Sequence, residues 1–173
     1  DGEKTVMGTK IPAGGGERDG EAILDMLARH PATARHIASK LCRRFIGDNP
    51  PASAIDAATS AFLGSDGDIK TVLRAIFTLP EFWNAPPKFK RPFEFTISLV
   101  RGMGAQVIQA RRGVIAESLI TMGHLPFQHP TPDGYSDYAA DWVANMLPRW
   151  NLALAVATSD GAGIRSDVLA VVQ

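Results

Sequence analysis

The sequence lacks the residues and motifs that most readily define a chemistry. Its 173 residues include one cysteine, Cys42, which excludes an internal disulfide framework and haem attachment through Cys-x-x-Cys-His. No apolar run approaches the roughly 18 residues that a membrane-spanning helix needs, and no signal-peptide pattern opens the chain. The glycines at 14–16 lack the Gly-Lys-Ser/Thr ending of a phosphate-binding loop, and no Gly-x-Ser-x-Gly motif occurs. The remaining indications of function are less specific patterns of charge and side-chain type.

Charge is present but balanced. The chain contains 18 basic and 18 acidic residues, so no net field attracts it to nucleic acid or to a membrane surface. The hydrophobic content of 45% and the charged content of 21% are those of an ordinary folded protein. The length suits one domain over 1–173, with room for two lobes. The chain opens on Asp1 without an initiator methionine, which indicates a processed product or a piece cut from a longer protein.

Hydrophobic spacing predicts an all-α fold of about seven or eight helices, in a bundle-like arrangement of two lobes. A short extended segment precedes the helices. The segment 85–91 is predicted to connect the lobes 17–84 and 92–160, because its prolines cannot lie inside a helix. Asp68 is the predicted N-cap of the fourth helix. The predicted helices cover about residues 19–29, 32–46, 50–63, 69–79, 92–103, 106–122 and 148–158.

The same patterns predict which side chains are buried. The first helix should direct Leu24 and Leu27 inward. The last helix is apolar nearly all round and includes Leu154, so we expect it to be a buried central helix. Cys42 lies on the apolar side of the second helix, where a buried, inert thiol is expected. The tail after Ser159 contains two glycines, and we expect it to be loosely ordered.

Five segments carry a family resemblance: HPATARHIASKLCRRFIGDNPP (30–51), GDIKTVLRAIFTLPEFW (67–83), KFKRPFEFTISLVRGMGA (88–105), PTPDGY (130–135) and RWNLALA (149–155). Together they resemble the C-terminal part of the bacterial domain-of-unknown-function 1800 family. The resemblance covers almost the whole chain. It implies a fragment of a larger, mostly bacterial protein with an extracytoplasmic location, either periplasmic or secreted. The family supplies no established reaction, so no catalytic residue is carried over.

The family pattern departs from this sequence at two histidines. Around residues 123–135 the family more often has the sequences Gly-Gln-Pro and Pro-Pro-Thr-Pro-Asp-Gly-Tyr. This chain has His124 and His129 at the positions that differ. The resemblance therefore assigns these two histidines no essential role.

The first candidate for a functional site is a segment rich in basic residues. Between Met26 and Gly47 there are five basic residues and no acidic one. On the polar face of the second helix, Lys40 and Arg43 flank His36, a layout suited to phosphate, sulfate or carboxylate groups. The alternative is a solvated face, or one paired with acidic segments elsewhere. Nucleic acid is disfavoured as a partner because no aromatic residues interleave with the patch.

The second candidate is the loop that contains His124, His129, Asp133, Asp137 and Asp141. Imidazoles and carboxylates within so short a span are the ligands of a divalent metal, which would activate a water for hydrolysis. The spacing matches no established metal motif. The alternative places Asp133 in a turn before a glycine, and either Asp137 or Ser136 at the cap of the next helix.

The third candidate joins Tyr135, Trp142, Trp150 and Arg149. Such rings stack on a sugar or a planar ligand, while an arginine holds an acidic group. The alternative is that the tryptophans anchor the loop to the core and that Arg149 caps nearby carbonyls.

A polar line along the fifth helix is a fourth candidate. Glu94, Ser98 and Arg101 share one side of that helix, and we expect a buried Glu–Arg pair that holds two helices in register or forms part of a pocket.

Two classes of function emerge. The first is a non-catalytic or accessory binding module of a larger exported bacterial protein, whose partner is an anionic or polysaccharide-like ligand or another protein. The second is a hydrolase with its site around residues 124–141, assisted by a metal or not. No cofactor is indicated by any motif.

Overall fold

A computed structural model describes residues 2–108, 113–158 and 163–166. These residues contain eight α-helices and two antiparallel two-stranded sheets, which confirms the all-α prediction with its short extended N-terminal segment. The chain divides into two compact units, 1–87 and 88–173. The boundary between Pro87 and Lys88 lies in the proline-containing segment 85–91. In the described part of the chain, every helix is too short or too polar to cross a membrane.

The first unit contains a β-hairpin and five helices. Their bounds are β1 Lys4–Val6, β2 Thr9–Ile11, α1 Glu17–Ala28, α2 Pro31–Phe45, α3 Ala52–Gly64, α4 Ile69–Thr78 and α5 Pro80–Trp83. The second unit contains three helices, one 3-10 turn and a two-stranded sheet. Their bounds are α6 Pro92–Gly102, β3 Gln106–Val107, α7 Val114–Thr121, the 3-10 turn Ala139–Asp141, α8 Met146–Thr158 and β4 Ile164–Arg165.

Alanines allow the central helices of the first unit to pack closely. Ala34 and Ala38 of α2 and Ala54 and Ala58 of α3 are fully buried, each pair one helical turn apart. Side chains without atoms beyond Cβ let the two helix axes approach, and α4 completes this core through Ile76. The predicted N-cap of α4 is confirmed, because the Asp68 carboxylate accepts a hydrogen bond from Thr71 N–H at 2.9 Å.

The prediction for α1 was wrong in its buried face. Leu24 and Leu27 are exposed, and the buried residue of this helix is Asp19, whose carboxylate lies 2.8 Å from the Lys4 ammonium. The spacing of apolar residues predicted the helix correctly, but it does not show whether another element covers the apolar side.

Helix α8 is buried along one face only. Leu152 and Val156 pack into the core of the second unit, whereas Leu147, Trp150 and Leu154 are between 64% and 67% exposed. The prediction of a buried central helix was therefore wrong. Mean apolarity does not report how many sides of a helix are covered.

The predicted sixth helix begins later than expected. Val107 belongs to a strand that pairs with Ile164, and α7 starts after Gly113, whose φ of −171° is extended. Residues 109–112 of that prediction lie outside the described residues, as does most of the predicted loose tail after Ser159.

Candidate ligand-binding cleft

The loop between α7 and α8 forms a cleft in the second unit with a volume of about 620 Å³. Aromatic and polar side chains line it together. Tyr135 and Trp142 contribute rings, and His129, Ser136 and Asp141 contribute groups that donate or accept hydrogen bonds. Four of the residues singled out from the sequence loop therefore meet at one site: His129, Tyr135, Asp141 and Trp142.

Hydrogen bonds to backbone carbonyls fix the two large rings. The Tyr135 hydroxyl donates to the Leu125 carbonyl at 2.6 Å, and the Trp142 indole N–H donates to the Ser136 carbonyl at 3.0 Å. The Tyr135 ring also lies 4.7 Å from the His129 ring, at an interplanar angle of 76°. Both hydrogen bonds join residues of the loop to one another, and they fix the positions of the two rings.

His124 lies behind the cleft in a buried aromatic setting. Its ring stacks on Trp142, and its Nδ1 accepts a hydrogen bond from Phe93 N–H at 3.2 Å. Burial, with smaller contributions from the charges of Arg91 and Arg149, lowers the pKa of His124 from 6.5 to about 4. The imidazole is therefore neutral at physiological pH, and its role in this structure is to support Trp142.

The Asp133 side chain makes local contacts within the loop. The Asp133 carboxylate is exposed and accepts a hydrogen bond from the Thr131 hydroxyl, which lowers the pKa of that carboxyl. Gly134 follows with a φ of 77°, and its N–H donates to the Thr131 carbonyl at 3.3 Å. Asp133 thus belongs to a turn, the alternative considered from the sequence.

The N-cap of the 3-10 turn Ala139–Asp141 is Tyr138, so neither Asp137 nor Ser136 occupies that position, contrary to one of the two sequence interpretations. Asp137 instead forms an ion pair. Its carboxylate lies 2.9 Å from the Arg91 guanidinium, which also binds Glu94 at 2.8 Å. No group of three metal-ligating side chains lies close enough to hold an ion within residues 2–108, 113–158 and 163–166. The candidate ligands His124, His129, Asp133 and Asp137 therefore do not converge.

Arg149 is buried away from the lining of the cleft. Its guanidinium lies over the Phe89 and Phe95 rings, and its Nη1 donates to the Lys90 carbonyl at 2.8 Å. Nε and Nη2 are buried without a hydrogen-bond partner among the described residues, and burial lowers the pKa of the group. Trp150, beside it in sequence, is exposed.

The basic face of α2 belongs to the first unit. His36 and Lys40 are exposed, and Arg43 is half-buried. Two further cations from the basic segment are paired with acidic side chains: Arg29 lies 2.8 Å from Asp66, and Arg35 lies 2.7 Å from Asp56.

The polar line of the fifth predicted helix is arranged differently from the prediction. Glu94 binds Arg91, Ser98 accepts a hydrogen bond from the Lys90 ammonium at 2.5 Å, and Arg101 is exposed. The prediction of a buried pair between Glu94 and Arg101 was wrong.

The sequence interpretation missed Gln128 as a lining residue of the cleft and Arg91 as the ion-pair partner of Asp137 and Glu94. Arg91 carried a usable signal, because Glu94 follows three residues later, after a proline at the first helical position. The Glu94 carboxylate accepts a hydrogen bond from Arg91 N–H at 3.1 Å. No sequence pattern predicts a role for Gln128, because only the shape of the loop places it beside the aromatic rings.

The described residues thus form a mostly helical protein of two units with an aromatic and polar cleft in the second. The model of a family described as "Protein of unknown function (DUF1800)" matches residues 1–172. The chain therefore belongs to the DUF1800 family. No curated protein and no solved structure matches it.

Proposed function

We propose that this chain is a non-catalytic binding module of a larger exported bacterial protein, and that its cleft binds a neutral saccharide. The observation that carries the proposal is the convergence of Tyr135, Trp142 and His129 with Ser136 and Asp141 around one cleft.

This composition matches the two chemical sides of a sugar. A pyranose ring presents C–H groups that pack against aromatic rings, and hydroxyls that exchange hydrogen bonds with polar side chains. Tyr135 and His129 are half-buried, so both rings offer surface to a ligand, while Trp142 contributes only a small part of its ring. The volume of about 620 Å³ falls within the range of roughly 300–1,000 Å³ that is usual for small-molecule sites.

Charge favours a neutral ligand over an anionic one. Asp141 lines the cleft with its carboxylate, which would repel a phosphate or carboxylate group. The basic residues that suit an anion, Lys40 and Arg43, belong to the first unit and are not among the residues lining this cleft.

The hydrolase alternative rests on the same cleft, because His129 and Ser136 both line it and the Ser136 hydroxyl donates a hydrogen bond to Asp141. Glycoside hydrolysis generally requires two carboxylates on opposite sides of the bond. Among the cleft-lining residues in the described part of the chain, Asp141 is the only carboxylate. Binding without turnover is therefore the better-supported function.

The test is titration calorimetry with cellohexaose, maltohexaose and chitohexaose at matched concentrations. We expect one of the three to bind, and His129→Ala to weaken that binding by about tenfold, or about 1.4 kcal/mol. Lys40→Ala, on the exposed face of α2, is the control and should bind as the unaltered protein does. Absence of binding to all three sugars, or loss of binding in the control alone, would contradict the proposal. Shortened sugars after incubation would establish the hydrolase instead.

A further inference from the structure

The cleft is bordered by a turn with an unusual residue at its corner. Gln128 N–H donates to the Leu125 carbonyl at 3.2 Å, which leaves Pro126 and Phe127 at the two central positions. Phe127 has a φ of 62°. Proline followed by a residue with positive φ is the pattern of a type II turn, whose third position favours glycine or asparagine.

Phenylalanine at this position costs conformational free energy that glycine would not, because its Cβ crowds the backbone when φ is positive. Two other non-glycine residues with positive φ occur in the described part of the chain, Met7 and Asp66. Aspartate tolerates this conformation through its short polar side chain, whereas a bulky residue does not. Phe127 is the bulkiest of the three.

Packing within the chain does not offset this cost. Phe127 as a residue is 101% exposed, so its ring is open to solvent. An exposed aromatic ring held on a strained backbone indicates a functional constraint, because replacement by glycine would relieve the strain without loss of core contacts.

The position of the turn identifies that constraint. Leu125 and Gln128, the first and last residues of the turn, both line the cleft. The Leu125 carbonyl also accepts the hydrogen bond of the Tyr135 hydroxyl, so the turn is tied to one of the cleft's rings. Phe127 therefore projects from the border of the site itself.

We infer that Phe127 is a ligand-contacting residue, whose ring packs against the C–H face of a sugar unit bound at the outer part of the cleft. This inference rests on the proposed saccharide function. It adds an aromatic contact that is available to solvent before binding, and which the more buried Trp142 does not provide.

The test separates ligand contact from structural support through Phe127→Gly, measured by calorimetry with the bound hexasaccharide and by thermal unfolding. We expect the affinity to fall at least tenfold while Tm stays the same or rises by a few degrees, because glycine relieves the turn. Phe127→Trp should retain the affinity. The matched control is Met7→Gly, another positive-φ position (φ 49°) in the hairpin of the first unit, which should leave affinity unchanged.

The possible failures are distinguishable. Unchanged sugar affinity in Phe127→Gly would overturn this inference while the proposed function stands. A lower Tm together with lower affinity would assign Phe127 a structural role and would also overturn it. If the unaltered protein binds none of the three hexasaccharides, the proposed function fails, and the assignment of Phe127 fails with it.

Discussion

The His124 imidazole stacks on the Trp142 indole with ring centroids 4.7 Å apart and an angle of 27° between the planes. The Tyr135 ring meets the same imidazole edge-on at 4.5 Å. Because Nδ1 accepts the hydrogen bond from Phe93 N–H, this arrangement requires the neutral form with its proton on Nε2. The support of the cleft therefore depends on the protonation state of one side chain.

Acid should destabilise the second unit through His124. Its pKa is lowered from 6.5 to about 4, so the stabilisation is fully present above pH 6.5 and is lost as the pH falls towards 4. The unfolded chain binds the proton more readily in this window. We expect a loss of roughly 2 kcal/mol in the free energy of unfolding between about pH 7 and pH 4, measured by urea denaturation followed by circular dichroism.

The control for this pH dependence is His124→Asn, whose side-chain oxygen can still accept from Phe93 N–H but which does not titrate. The variant should be less stable than the unaltered protein at neutral pH, since it lacks the ring stack, and it should lose less stability on acidification. Parallel pH profiles for the two proteins would show that His124 is not the titrating group.

The ion pair between Arg91 and Asp137 should contribute more to stability than an exposed pair. Both side chains are about one-fifth exposed, whereas those of Arg35 and Asp56 are 58% and 61% exposed. A double-mutant cycle with alanine at each position should give a coupling energy of about 1.5 kcal/mol for the first pair and below about 0.5 kcal/mol for the second. Equal coupling energies would contradict this prediction.

Replacement of Arg149 by methionine should be tolerated. Within the part of the chain that the structure describes, two of its nitrogens are buried without hydrogen-bond partners, so removing the charge also removes a desolvation cost. Methionine keeps much of the volume between the Phe89 and Phe95 rings. We expect Arg149→Met to unfold within about 1 kcal/mol of the unaltered protein, and Arg149→Ala to cost roughly 2–4 kcal/mol through the cavity it creates. Equal destabilisation by both substitutions would indicate an essential guanidinium contact.

Cys42 should be unreactive in the folded protein. Its side chain is fully buried, its thiol lies 3.5 Å from the Ala54 carbonyl oxygen, and burial raises its pKa to about 11. Very little thiolate is therefore available to a disulfide reagent at about pH 8. We expect negligible colour development with a thiol-specific chromogenic reagent until urea unfolds the chain. Rapid modification without denaturant would show that the α2–α3 core opens readily.

The sequence predicted those elements whose determinants are local. Helix α4 combines a capping aspartate, Asp68, with apolar residues at helical spacing, and both act within a few residues of chain. Helix α2 was predicted within one residue at each end, because Pro31 suits the first helical turn and its apolar stripe ends at Phe45.

The errors concern relations between distant segments. Residues 106 and 107 were predicted to begin a helix, but they form a strand that pairs with Ile164 and Arg165, which lie far away in the sequence. The exposure of Leu154 depends on which side of α8 the core covers, and the spacing of apolar residues does not predict that side. The cleft shows the same limit: turn chemistry was readable at Gly134, but the approach of Gln128 and Asp141 to the aromatic rings depends on the path of the whole loop.

The three tryptophans differ in burial, so they should differ in how readily their fluorescence is quenched from solution. Trp83 and Trp150 are 74% and 67% exposed, whereas Trp142 is 6% exposed and stacked on an imidazole. A water-soluble collisional quencher such as iodide should therefore suppress the emission of the first two and leave mainly that of Trp142. The residual blue-shifted fluorescence would report from the cleft alone, without an attached label.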